Sequence, residues 1–169
     1  MDTLRLKFPK KTLIVPVGLP GSGKSTLLSQ VLPHTGFCHG ADDVRRTMFG
    51  DVSTQGNPWI VHEAARHMLR VRLVEGLPSA YDATNLTVRE RQNLLVMADQ
   101  NDYYVVALVG DVPIEVVKLR NEIRQDKVPE FVIDRMVKKR EEPTVKEGFD
   151  EVVRFDQFTK NLRIAFTDY

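Results

Sequence analysis

The sequence holds a single cysteine, Cys38, among its 169 residues. An intramolecular disulfide framework is therefore excluded, no thiolate cluster is left for zinc, and a reducing, cytoplasmic setting is expected. Net charge is also nearly absent: 24 basic side chains against 23 acidic ones leave +1. Attraction to a polyanion cannot come from bulk charge and would need a local basic groove. No apolar run approaches the roughly 20 residues that span a bilayer, and Met1 to Lys7 lack the apolar stretch of a signal peptide, so neither membrane insertion nor secretion is expected. Internal repeats, low-complexity tracts and long linkers are missing as well. What remains is 42% hydrophobic and 28% charged residues in a chain of ordinary domain size. That predicts one folded unit over residues 1–169 with a core of its own.

Thr12 to Gly18 is apolar, rich in β-branched residues and closed by glycine, which predicts a buried strand; Pro16 costs it one ladder bond near its end. Lys24 to Leu32 has helical spacing, with Leu27, Leu28 and Val31 on one side, and Pro33 stops it. Phe37 to Ala41 is a candidate short strand, and Asp42 and Asp43 open a helix behind it. Turn residues fill Gly50 to Pro58, and Trp59 to Glu75 reads as an amphipathic helix whose apolar positions can serve a dimer or the core, the core being our reading. Ser79 to Ala83 reads as a short strand, Thr87 caps a helix reaching Gln100, and Tyr103 to Gly110 is a strong strand. Helices over Ile114 to Arg124 and Glu130 to Glu141 and a strand over Glu151 to Phe155 follow. The tail from Gln157 to Tyr169 alternates apolar residues, as an edge strand or a cap over the sheet. Strands separated by helices predict an α/β fold: a doubly wound, mostly parallel sheet with helices on both faces.

Between the first strand and the first helix lies Gly18-Leu-Pro-Gly-Ser-Gly-Lys-Ser25, the pattern of a phosphate-binding loop in its proper context. Glycines are needed because backbone N–H groups must turn inward and approach the phosphates, and the following helix adds its positive N-terminal end. Gly18, Pro20, Gly21, Ser22, Gly23, Lys24, Ser25 and Thr26 are the expected nucleotide contacts. Lys24 brings charge to the outer phosphates and Ser25 is placed for magnesium. The motif alone does not separate a kinase from an NTPase used for movement or switching.

Further residues narrow the choice. Asp42 falls at the carboxyl end of the second predicted strand, where doubly wound sheets form their ligand crevice; it can cap its helix or accept a proton from an attacking hydroxyl. Beside the loop we read it as the base. Arg45, three residues on, can hold an anionic substrate, whereas Arg46 reads as a solvated charge. Asp82 ends the third strand, where a carboxylate can hold a magnesium-bound water. Arg120 and Arg124, four apart on a helix, can close over a triphosphate or lie on a solvated face. His62 and His67, five apart, do not share a helical face and read as ordinary helix residues. Trp59 can stack on a base or fill part of the core.

In order and spacing the phosphate loop, Asp42-Asp43-Val-Arg45, Asp82-Ala-Thr-Asn85 and Asp111-Val-Pro with Arg120-Asn-Glu-Ile-Arg124 resemble the 5′-polynucleotide kinase family over about residues 13–155. The resemblance implies a doubly wound P-loop kinase with a helical lid at about residues 120–130. It implies transfer of the γ-phosphate of ATP, or another triphosphate, to the 5′-hydroxyl of DNA or RNA. By the same resemblance Asp42 is the general base, Arg45 contacts the acceptor's phosphate and Arg124 and Arg120 hold the donor. Asn85 then belongs with the acceptor and Asp82 with the metal. The phosphatase or ligase domain often attached in that family is missing, so end repair would call on separate phosphatase and ligase partners. The alternatives are a P-loop kinase for a small molecule or nucleoside, and a non-catalytic ATP-binding module.

Overall fold

The computed structural model describes residues 3–31, 40–50, 57–124 and 127–168. In chain order its elements are β1 (Thr3–Pro9), β2 (Thr12–Val17), α1 (Lys24–Val31), α2 (Ala41–Phe49), α3 (Pro58–Val74), β3 (Ser79–Ala80), α4 (Val88–Asp99), β4 (Tyr104–Gly110), α5 (Ile114–Glu122), α6 (Glu130–Lys139), β5 (Glu151–Phe155) and β6 (Asn161–Thr167). The expected α/β sheet is present as four parallel strands in the order β3-β2-β4-β5.

Side chains on a strand alternate between faces, so each strand of a doubly covered sheet must be apolar at every position. β2 from Leu13 onward and β4 meet that demand. Leu13, Val15, Val17, Val105, Ala107 and Val109 share one core with α2, α3 and α4, through Val44, Val61, Ala65, Leu69, Leu73 and Leu94. Ile14, Val106, Leu108, Val153 and Phe155 share the other with Leu27 and Leu28 of α1. Burying one such side chain is worth roughly 1.5–3 kcal/mol, so both faces hold the loop between β2 and α1 in register.

Pro16 lies in a central strand, where the missing N–H needs explaining. Its carbonyl accepts from Asn85 Nδ2 at 2.8 Å, and the Gly18 N–H donates to the Thr84 carbonyl at 3.0 Å. β3 has already ended on that side, so the segment after it replaces a strand neighbour and tolerates the proline. Arg91, fully buried on α4, completes this seam. Its guanidinium donates to the Asn85 and Glu141 carbonyls and forms a bidentate pair with Glu147 at 2.9 Å. Thr87 caps α4 as expected, in a reciprocal box with Glu90.

Several expectations are corrected. Strand β1 is unexpected, although Leu4, Leu6 and Phe8 alternate with Arg5 and Lys7. The tail forms β6, which pairs parallel with β1 in a separate two-stranded sheet. Its apolar face, with Phe8 and Leu162, covers the α1 side of the core, so the tail is a cap built from a strand pair. Trp59 is 68% exposed and fills no core; Ile60, Val71 and Val74 of the same helix are exposed too, because only Val61, Ala65, Leu69 and Leu73 follow the buried stripe. α5 and α6 end two residues earlier than their spacing predicts. The candidate strand at Phe37 to Ala41 lies outside the described residues except for Gly40 and Ala41, the latter already helical. Most of the turn at Gly50 to Pro58 and two residues of the segment at 120–130 also lie outside them.

Candidate active site

The glycine-rich loop joins the end of β2 to α1, and two of its glycines are required by backbone geometry. Gly21 and Gly23 have φ of +84° and +96°, values that L side chains rarely adopt. A Cβ on Gly21 would also lie 3.1 Å from the Val117 carbonyl, so α5 rests directly on the loop. Lys24 folds back over the loop, its ammonium donating to the Leu19 carbonyl at 2.9 Å and approaching Ser22 Oγ at 3.4 Å. Only 6% of it is exposed. Burial pushes its pKa down to about 8; Asp82 opposes the shift, while Arg124 and then Arg140 add to it.

Asp82 follows β3 and faces the same spot. Burial pushes its carboxyl above the usual range, against the Ser25 hydroxyl, which donates to it, and against Lys24. The tip of α2 is docked on this carboxylate's own backbone: a Cβ on Gly40 would fall 2.4 Å from the Asp82 carbonyl oxygen. Glycine at position 40 therefore brings Asp42 and Asp43 up to Asp82. Asp42 accepts from Arg45 Nη1 at 2.8 Å, with 63% of its own side chain exposed and only 11% of the arginine's. Asp43 pairs likewise with Arg46 at 3.2 Å.

Two cavities open here. One, of about 480 Å³, is lined by residues 20–27 of the loop and α1, by Arg120 and Arg124, and by Phe155, Asp156, Gln157, Thr159 and Lys160. The other, of about 640 Å³, is lined chiefly by Lys24, Ser25, Asp42, Asp43, Asp82 and Arg124. They share Pro20, Lys24, Ser25 and Arg124. Loop residues 20–26, Asp42, Asp82, Arg120 and Arg124 are thus gathered from separate segments into one crevice, whereas Gly18 and Arg45 line neither cavity. Arg120 is held close to the loop, its Nη1 donating to the Gly21 carbonyl at 3.3 Å.

Asn85 is not brought to the crevice as an acceptor contact. It is 3% exposed at a φ of +46°, and its amide is spent on the Pro16, Tyr81 and Ala83 carbonyls. Its work is to hold the seam behind Asp82. Arg46, read as a solvated charge, is exposed yet lines the acidic cavity. Sequence reasoning missed the wall from Phe155 to Lys160, whose turn is set by Asp156 accepting from the Phe158 and Thr159 N–H groups at 2.9 Å. An Asp two residues before the Phe158 N–H is a recognisable turn signal, but nothing local ties it to a loop more than a hundred residues away. His62 stays within its helix, near the Tyr81 hydroxyl at 3.4 Å.

The donor set suits magnesium. A hydroxyl and a buried carboxylate in contact, one on the loop and one after β3, match an ion that takes one or two protein ligands and leaves the rest to water and phosphates. Among the described residues no cluster of three or more His, Cys, Asp or Glu offers a complete protein cage.

Strand, glycine-rich loop and helix, backed by a parallel sheet, define a P-loop domain of the kinase type in fold. The sequence profile of the AAA domain family matches residues 13–143, and the chain belongs to that family. It is 27% identical over 156 residues to a protein of Acanthamoeba polyphaga mimivirus described as a bifunctional polynucleotide phosphatase/kinase, covering 88% of this chain and 34% of that one. The chain thus spans about a third of that relative's length. Among solved structures it is similar in fold to a chain of the Pnkp1/Rnl/Hen1 RNA repair complex, at 24% identity and a TM-score of 0.62, covering 78% of this chain and 44% of the other. It is similar also to a gluconokinase from Sinorhizobium meliloti 1021, at 21% identity and a TM-score of 0.57, covering 88% and 83%.

Proposed function

We propose that this domain transfers the γ-phosphoryl group of ATP to the 5′-hydroxyl of a polynucleotide, DNA or RNA, as an end-healing kinase. The observation that carries the reading is that the two cavities meet at Lys24, Ser25 and Arg124. In-line transfer requires donor and acceptor on opposite sides of the transferring group, with cations gathered at their junction. The loop amides and Lys24 would hold the donor phosphates from one side. From the other, Asp42 would take the proton of the attacking hydroxyl as the new P–O bond forms and the bond to the β-phosphate breaks, releasing ADP. Arg45 would hold the phosphate next to the acceptor's end, Arg120 and Arg124 the donor. Magnesium, when bound by Ser25 and through water by Asp82, would neutralise charge on the donor phosphates.

The similarity to the mimivirus protein favours a polynucleotide acceptor over a sugar or nucleoside. Separate phosphatase and ligase proteins would then complete repair of both ends, in a cytoplasmic setting. The test is transfer of label from γ-labelled ATP to 5′-hydroxyl DNA and RNA oligonucleotides, with sugars and nucleosides as competitors and Lys24→Ala as control. Labelled oligonucleotide that disappears in the Lys24 variant is the expected result. Label on a sugar or nucleoside alone would replace the acceptor, and ATP binding with no acceptor-dependent ADP release would leave only a binding module.

A further inference from the structure

Asn121, near the end of α5, is 2% exposed, a place that an apolar side chain fills by default. Burying an amide costs free energy unless both of its ends are paired. Here both are, and to the same residue: Nδ2 donates to the Val128 carbonyl at 2.7 Å, and Oδ1 accepts from the Val128 N–H at 3.0 Å. The side chain therefore imitates a strand neighbour and ties position 128 to position 121. Arg124 lies between these two points, and its N–H donates to the Asn121 carbonyl at 3.2 Å. The Lys127–Glu122 ion pair crosses the same span, but both partners are half or more exposed, where such pairs are worth little.

The turn of α5 before Asn121 is fixed too. Arg120 donates to Gly21, and Val117, one turn before Asn121 and fully buried, abuts Gly21 through its carbonyl. A rigid path thus runs from the phosphate loop through α5 to Asn121 and on to Arg124, the arginine that lines both cavities.

We infer that Asn121 is the positioning residue for Arg124, setting the reach of the guanidinium into the junction of the two cavities. The inference rests on the donor role proposed above for Arg124. The test is a double-mutant cycle in which ADP formation is measured for the wild type, Asn121→Ala, Arg124→Ala and the double variant, with thermal melts alongside. It is run with acceptor and on slow acceptor-independent hydrolysis, so that it stands even if the acceptor is not a polynucleotide. Arg124→Ala should lower kcat by about 10³-fold or more. Asn121→Ala should lower it by about 10- to 100-fold, the size of a misplaced catalytic group, with the KM for ATP changed less than about threefold. Adding it to Arg124→Ala should cost less than about twofold, because the group it positions is gone.

Losses that multiply in the double variant, or full turnover in Asn121→Ala, overturn the inference and leave Arg124 its role. Unchanged turnover in Arg124→Ala removes that role and the inference with it. Should Asn121→Ala fail to fold, Asn121→Leu takes its place in the cycle, since it fills nearly the same volume without a cavity and loses both bonds to Val128. Its losses support or overturn the inference in the same way.

Discussion

The two cavities that meet at Lys24 are built in opposite ways. The phosphate-facing part of the loop side is made from contiguous chain, with two glycines at positive φ and a lysine folded onto its own loop and almost wholly buried, and distant segments add only Arg120, Arg124 and the outer wall at Phe155 to Lys160. The acidic side is made from the tips of elements distant in sequence, α2, the segment after β3 and the end of α5, and its key carboxylate, Asp42, stands exposed and is paired with Arg45 three residues away. Covalent adjacency fixes the first arrangement. The second depends on packing, above all on the contact of Gly40 with the Asp82 backbone. Damage confined to α2 should therefore spare nucleotide binding, whereas damage to the loop cannot spare transfer.

The largest separation of the two sides is expected from Asp42→Ala. Loss of a general base costs about 10²- to 10⁴-fold in turnover. The Kd for ATP should stay within about twofold, since Asp42 lines only the acidic cavity. Stopped-turnover labelling and equilibrium nucleotide binding measure the two quantities separately. Unchanged turnover would leave Asp42 an acidic residue in the first turn of α2 with an ion pair to Arg45.

A smaller effect in the same direction is expected from Gly40→Ala. The added carbon meets the Asp82 carbonyl at 2.4 Å, and a main-chain oxygen cannot swing aside as a flexible side chain would, so the tip of α2 must move. Displacement of a reacting group by about 1 Å can cost about 10²-fold, and a loss of about 10- to 100-fold in turnover with ATP affinity preserved is predicted. Equal loss of both would mean that α2 supports the phosphate loop as well, and that the two sides are not separable.

This contrast also explains what was legible in the sequence. The loop, its strand and its helix were readable because Gly18 to Ser25 is one uninterrupted segment whose residue types follow from local geometry. β2, β4 and β5 were readable from their apolar runs, and Thr87 from its cap. Asp42, Asp82, Arg120 and Arg124 could be named from strand ends and helix spacing, but their meeting is a property of the sheet order. Asn85 was misread because a polar residue after a strand looks the same whether it faces a ligand or, as here, replaces a missing strand neighbour for Pro16. The wall at Phe155 to Lys160 and the Asn121 clamp were invisible for a related reason. Each depends on partners that only the fold supplies, and β1 became meaningful only once β6 was beside it.

The smallest predicted effect bears on the loop side alone and comes from pH. Burial, with help from Arg124 and Arg140 and against Asp82, brings the Lys24 pKa down to about 8 from the ordinary 10.5. In the folded, nucleotide-free protein Lys24 then loses its proton across a range where the unfolded chain still holds it. Between about pH 8 and 10.5 the unfolded state binds more protons, so this group's contribution to stability rises with pH there. Phosphate binding runs the other way, because the anions favour the ammonium form and must recover the proton that burial has loosened. ATP affinity should be flat below about pH 8 and fall above it, reaching about tenfold weaker at pH 9 than at pH 7. Calorimetric or fluorescence titration with a non-hydrolysable ATP analogue across pH 7 to 9.5 measures the slope. Lys24→Arg, whose charge persists throughout, should give a flat profile over the same range. A flat wild-type profile would mean that the buried ammonium stays charged without nucleotide, and that desolvation does not set the state of the loop lysine.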